Sequence, residues 1–104
     1  MTLQDIFLKA IHEKRIVIIE VNSFEKGVIQ RKCVPYDFGP SRKFRDGFNR
    51  YHFYDLNSPE GSHNLSILPE QLLNIQITDE KFHPRDYVNW KPNWYVKRDW
   101  GECS

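Results

Sequence analysis

Apolar side chains near the N-terminus recur every three or four residues, which is typical of one face of a helix. They are Leu3, Ile6, Phe7, Ala10 and Ile11. Thr2 stands before this stretch as an N-cap, and Asp5 occupies the third helical position of a capping box. The pattern therefore predicts a helix over residues 2–14.

Extended segments follow the helix, because β-branched and aromatic residues occur in short runs separated by Gly, Pro, Asn and Asp. The predicted strands span residues 16–21, 28–38, 48–56, 63–68 and 74–78. Pro35 cannot donate a backbone hydrogen bond, so we expect an edge, a bulge or a bend there. Pro69 is expected to begin one helical turn before the last strand.

Strand alternation in the third of these segments separates its side chains into two faces. One face carries Tyr51, Phe53 and Asp55, and the other carries Arg50, His52, Tyr54 and Leu56.

The element order predicts a single α+β domain. Short consecutive strands usually pair with their neighbours, and a small, strongly bent antiparallel sheet tends to curl into a partly open barrel. We expect the N-terminal helix to pack on such a five-stranded sheet or barrel, formed by residues 1–80. Residues 81–104 hold all three tryptophans and are expected to pack on the same domain as an aromatic extension.

Composition and charge argue against several classes of protein. The net charge of +1 argues against a chain built for bulk electrostatic binding to nucleic acid. The longest apolar run, Ile16–Ile19, is too short to span a bilayer, and no signal-peptide pattern precedes it. Cys33 and Cys103 do not form a Cys-x-x-Cys pair, so we expect free thiols, a cytoplasmic location and no membrane partner.

Catalytic and metal motifs are absent from the sequence. No histidine has the spacing of a helical zinc pair, no serine lies in a Gly-x-Ser-x-Gly elbow, and no glycine-rich phosphate loop occurs. We therefore expect a non-enzymatic protein without metal or cofactor.

A basic group surrounds the loop between the second and third strands. If these strands pair, the cations would converge around Tyr36, Tyr51 and His52, where arginine forks bind an anion and aromatic rings stack on a base. The basic residues are Arg31, Arg42, Lys43, Arg45 and Arg50. The predicted ligand-binding residues are Arg31, Tyr36, Arg42, Lys43, Arg50, Tyr51 and His52. The alternative is a solvated loop whose charges are balanced by acids; these are Asp37, Asp46 and Asp55.

The C-terminal tail, residues 81–104, allows three interpretations. Trp90, Trp94 and Trp100 could pack back onto the sheet and bury a large apolar area. They could instead form an interface with a protein partner or a second copy, or, with the interspersed basic residues, a surface for single-stranded nucleic acid.

Several local strings resemble the WYL domain of bacterial and phage regulators. Residues 10–18 resemble its helix-to-strand junction, and residues 31–36 resemble its Arg-x-Val-x-Pro-Tyr string through Arg31, Cys33, Pro35 and Tyr36. A loop ending in Asp46-Gly47 leads to a strand that closes in Tyr54-Asp55, and residues 68–77 resemble the family's last turn and strand. The resemblance covers about residues 5–80, although Asn49-Arg50-Tyr51 stands where the naming tripeptide would fall.

The resemblance implies an Sm-like small barrel that acts as a regulatory ligand sensor or contacts nucleic acid. Together with the cation–aromatic group, it predicts a module that binds a nucleotide or a nucleic-acid segment. The alternative prediction is a protein–protein adaptor or a homo-oligomer that uses the tryptophan tail.

Overall fold

The computed structural model describes all 104 residues. One helix, α1 (Leu3–Glu13), precedes five strands. The strands are β1 (Arg15–Asn22), β2 (Val28–Pro40), β3 (Asn49–Asp55), β4 (His63–Ile67) and β5 (Leu72–Lys81). Single 3₁₀ turns lie at Pro69–Gln71, Pro84–Asp86 and Gly101–Cys103. The predicted helix and strands are thus present, with small differences at their ends.

The capping box fixes the start of α1. The Thr2 hydroxyl accepts from the Asp5 backbone N–H at 3.0 Å, and the Thr2 N–H donates to the Asp5 carboxylate at 3.1 Å. These bonds lower the pKa of Asp5. Lys14 ends the helix in the left-handed conformation, with φ at 57°. Between these ends Phe7, Ala10 and Ile11 are buried, as the periodicity predicts.

The strands form one antiparallel sheet in the order β4-β3-β2-β1-β5. β4 and β5 are its two edges and do not pair with each other, so the sheet does not close into a barrel. The α+β class and the helix on a five-stranded antiparallel sheet are confirmed, whereas the expectation of a barrel is not.

A β-bulge in β2 sets the two faces of the sheet. Pro35 pairs with Phe53 and Asp37 with His52, which leaves Tyr36 as the extra residue. The missing N–H of Pro35 is tolerated at this irregular position, in agreement with the sequence. Because of the extra residue, Tyr36 and Asp37 both lie on the face of His52, opposite the face that carries Phe53.

The helix covers one face of the sheet and the tail covers part of the other. On the helix side, the Phe7 ring lies 4.9 Å from Tyr51 and 5.3 Å from Phe53 between centroids. On the other side, Tyr36 lies 5.8 Å from Trp90 and 5.9 Å from Trp94.

The tail also contributes to the hydrophobic core. Four of its side chains are buried there: Phe82, Val88, Trp100 and Cys103. Cys33 and Cys103 are both free, as predicted, and both are buried. Burial and the nearby Asp55 carboxylate raise the pKa of the Cys33 thiol. None of the helices is long or apolar enough to cross a bilayer.

Candidate ligand-binding cleft

Arg31 does not face the predicted site. It lies on the helix side of β2, where its Nε is 3.4 Å from the Asp55 carboxylate and its Nη1 donates to the Gln30 carbonyl at 2.9 Å. Asp55 is fully buried. Arg31 therefore neutralises an internal acid and is not available to an external anion.

Arg50 lies on β3, on the opposite face of the sheet from Arg31 and beside the opposite end of β2. It pairs with Gly39, roughly 25 Å along the strand from Arg31 at the usual rise per residue. Its Nη2 is 2.8 Å from the Asp46 carboxylate, and its guanidinium stacks on Phe44 at 4.1 Å. The hydrogen bond from Arg50 lowers the pKa of Asp46. The prediction that the cations converge is therefore wrong for both arginines.

Tyr51 is a core residue and not a stacking platform. Its ring packs between Phe7 and Phe38, whose centroids lie 4.9 Å and 4.6 Å away. Burial under α1 raises the pKa of its hydroxyl. Its neighbour His52 points to the other face, as strand alternation predicts.

The four remaining predicted residues, Tyr36, Arg42, Lys43 and His52, line one cavity of about 330 Å³. We call it the main cleft. It lies between the outer face of β2 and β3, the loop after β2, and the tail. The tail supplies Trp90, Asn93, Trp94 and Tyr95, and the sheet adds Asn64 and Ser66.

Aromatic rings form the walls of the main cleft. Tyr36 is held by a hydrogen bond from its hydroxyl to the Tyr87 carbonyl at 2.8 Å. Burial and the neighbouring tyrosines raise the pKa of Tyr36. Tyr95 packs directly on Gly39, where a Cβ would lie 2.5 Å from the ring atom Cδ2. A glycine is thus required for this ring to lie against β2.

His52 is locked between two partners. Its Nε2 lies 2.9 Å from the Gly39 carbonyl and its Nδ1 lies 2.8 Å from the Ser66 hydroxyl. Because a carbonyl only accepts, Nε2 donates to Gly39, and Nδ1 shares a hydrogen bond with the Ser66 hydroxyl. Both ring nitrogens are therefore occupied, and the ring serves as a fixed wall.

The rim of the main cleft is positively charged. Arg42 and Lys43 are exposed, and neither forms an ion pair. Arg42 donates to the Asn93 carbonyl at 3.1 Å, and its guanidinium lies 5.6 Å from the centre of the Tyr95 ring. These contacts position the guanidinium without neutralising its charge.

Asp37 is the one acid that lines the main cleft, and groups of the tail bind its carboxylate. The backbone N–H groups of Tyr95 and Val96 each donate to its carboxylate at 2.9 Å, and Arg98 Nη2 lies 3.3 Å from it. The expectation that Asp37 balances the loop cations is therefore wrong.

Arg98, which the sequence pattern did not single out, anchors the tail beside the main cleft. Its side chain is 0 % exposed and lies between Trp94 and Trp100, with the guanidinium 4.1 Å and 4.4 Å from the ring centres. It also donates to the Tyr36 carbonyl. Burial lowers the pKa of Arg98 to about 10, against the opposing effect of Asp37. The only sequence signal is an arginine between two tryptophans.

A second, smaller cavity of about 230 Å³ adjoins the main cleft and shares Tyr36, Asn64 and Trp90 with it. Its other lining residues are Tyr54, Asp86, Tyr87 and Asn89. No group of three or more His, Cys, Asp or Glu side chains is placed to hold a metal ion.

Comparisons with protein-family models, with curated proteins and with solved structures found no match to this chain.

Proposed function

We propose that this protein is a non-enzymatic module that binds a nucleotide in the main cleft. One observation carries the proposal: Arg42 and Lys43, two cations without acidic partners, stand at the mouth of a cavity walled by aromatic rings. A phosphate would bind the two cations, and a base would stack on the rings.

The size and charge of the site favour a single nucleotide over a nucleic-acid strand. A volume of about 330 Å³ lies at the lower end of the range for small-molecule pockets. A strand would need a basic track along its backbone, but Arg31 and Arg50 are both paired with acids of the same chain. The net charge of +1 adds little long-range attraction.

We also propose a WYL-like regulatory role in the cytoplasm. The order of elements and the resemblance of residues 31–36 to the family string support the first part. Two unpaired cysteines support the second, because disulfides are rare in reducing compartments.

Removing both rim cations is expected to weaken nucleotide binding. In calorimetric titrations with AMP, the Arg42→Ala, Lys43→Ala double variant should bind roughly ten- to a hundredfold more weakly than the original chain, because a hydrogen bond to a charged group contributes about 1.5–3 kcal/mol. Adenosine, which lacks the phosphate, should bind both proteins equally weakly.

A matched control distinguishes the loss of contacts in the cleft from the loss of net positive charge. The Lys9→Ala, Lys81→Ala variant also loses two positive charges, at exposed positions that do not line the cleft. It should retain the affinity for AMP. Absence of nucleotide binding, equal losses in the two double variants, or adenosine binding as tightly as AMP would refute the proposed function.

Self-association or protein binding through the tail is the alternative proposal. Trp94 and Trp100 are engaged within the chain, but Trp90 is 45 % exposed and Tyr95 is similarly accessible. Such rings are favoured at interfaces. A dimer in sedimentation equilibrium that dissociates in Trp90→Ser would favour this alternative.

A further inference from the structure

The smaller cavity beside the main cleft has a chemistry of its own. Four aromatic side chains line it: Tyr36, Tyr54, Tyr87 and Trp90. Its polar lining is Asn64, Asp86 and Asn89, and it contains no lysine or arginine. We call it the aromatic pocket.

The rings of the aromatic pocket are set at angles to one another. Tyr36 and Trp90 meet edge to face, with centroids 5.8 Å apart and planes at 81°. Tyr54 and Tyr87 lie 5.6 Å apart at 52°. Two rings that meet at a steep angle form a corner from which one group can approach the faces of both. A cation within about 6 Å of a ring centre is attracted by the ring quadrupole.

The charge of the aromatic pocket favours a cation. Asp86 is exposed at its edge and forms no ion pair. The neighbouring Arg85 is paired with Glu102 and does not compensate it. The Tyr36 hydroxyl already donates to the Tyr87 carbonyl, and the Asp86 carboxylate is the only charged group among the lining residues.

We propose that the aromatic pocket binds a quaternary ammonium group. Such a group has no N–H to satisfy and sheds water readily, so ring faces suit it better than they suit a primary amine or a metal ion. The Asp86 carboxylate adds attraction at the rim. This proposal does not depend on nucleotide binding, because Asp86 and Tyr54 line only the aromatic pocket, and Arg42 and Lys43 line only the main cleft.

The test compares choline with 3,3-dimethylbutan-1-ol, its neutral isostere, in titrations followed by tryptophan fluorescence. Choline should bind the intact chain at least about tenfold more tightly, because only the cation gains from the ring quadrupoles. Trimethyllysine in a short peptide is a third probe, and tighter binding than choline would assign the pocket to a modified side chain of the same chemistry. Equal affinities for choline and the alcohol, or no binding of any probe, would overturn the proposal.

Two variants test the assigned residues. Asp86→Asn should weaken choline binding roughly two- to fivefold, the range expected for an exposed charge pair. Asp79→Asn removes a comparable exposed acid on β5 and should have no effect. Tyr54→Leu keeps an apolar side chain but removes a ring face, and it should weaken choline and leave the alcohol unchanged. Unchanged choline affinity in both Asp86→Asn and Tyr54→Leu would exclude this pocket.

Discussion

Replacing Trp100 with alanine should lower the free energy of unfolding by about 3–5 kcal/mol, the usual cost of truncating a buried large aromatic residue. Trp100 is 4 % exposed, and its ring lies 5.4 Å from both Phe82 and Trp94. Its indole N–H also donates to the Ile11 carbonyl at 2.9 Å, which ties the tail to the end of α1. Urea denaturation followed by circular dichroism measures the change.

Trp90→Ala is the control for this result. The Trp90 ring is 45 % exposed, so its removal should cost clearly less, about 1 kcal/mol or below as for partly exposed surface positions. A cost for Trp100→Ala as small as that expected for Trp90→Ala would show that the tail is not part of the folded core.

Arg98→Ala should destabilise the protein by a comparable amount, about 3–5 kcal/mol, because it leaves a buried charge without its partner. Asp37 would keep its backbone donors from Tyr95 and Val96 but lose the guanidinium. The tryptophans on either side would also lose the group that fills the space between them. Thermal and urea unfolding of the intact chain measure this loss.

Arg85→Ala provides the matched comparison for Arg98. Arg85 is also an ion-paired arginine of the tail, but its side chain is 71 % exposed and that of its partner Glu102 is 76 % exposed. Exposed pairs contribute about 0–1 kcal/mol. If Arg98→Ala costs no more than Arg85→Ala, then the Asp37–Arg98 contact does not hold the tail on the sheet.

Local patterns were sufficient to predict most of the elements. The capping box of Thr2 and Asp5 and the apolar stripe that follows depend only on neighbours within a few residues, and α1 ends within one residue of the predicted bounds. Pro35 predicted an irregularity in β2, because proline lacks the N–H that a regular strand pairing requires, and a bulge follows it. β5 extends to Lys81, beyond the predicted end at residue 78, because Lys81 pairs with Arg15 of β1. This polar end carries no buried apolar side chain that the alternation could reveal.

The site required information that is not local. Whether Arg31 and Arg50 meet depends on strand register and on the one-residue bulge at Tyr36, neither of which the alternation reveals. The Asp37–Arg98 contact joins residues 61 positions apart, in a tail without regular periodicity. Four of the predicted residues, Tyr36, Arg42, Lys43 and His52, line the main cleft, but the aromatic residues that the tail adds to it were not predicted.

Nucleotide binding in the main cleft can be followed by NMR through the indole N–H signals of the three tryptophans during a titration with AMP. Trp90 and Trp94 line the main cleft, whereas Trp100 is buried in the core. If AMP binds in the main cleft, the signals of Trp90 and Trp94 should shift in a saturable manner and the Trp100 signal should stay in place. The shifts should vanish in the Arg42→Ala, Lys43→Ala variant. Unchanged Trp90 and Trp94 signals, or shifts that persist in that variant, would contradict binding at this site.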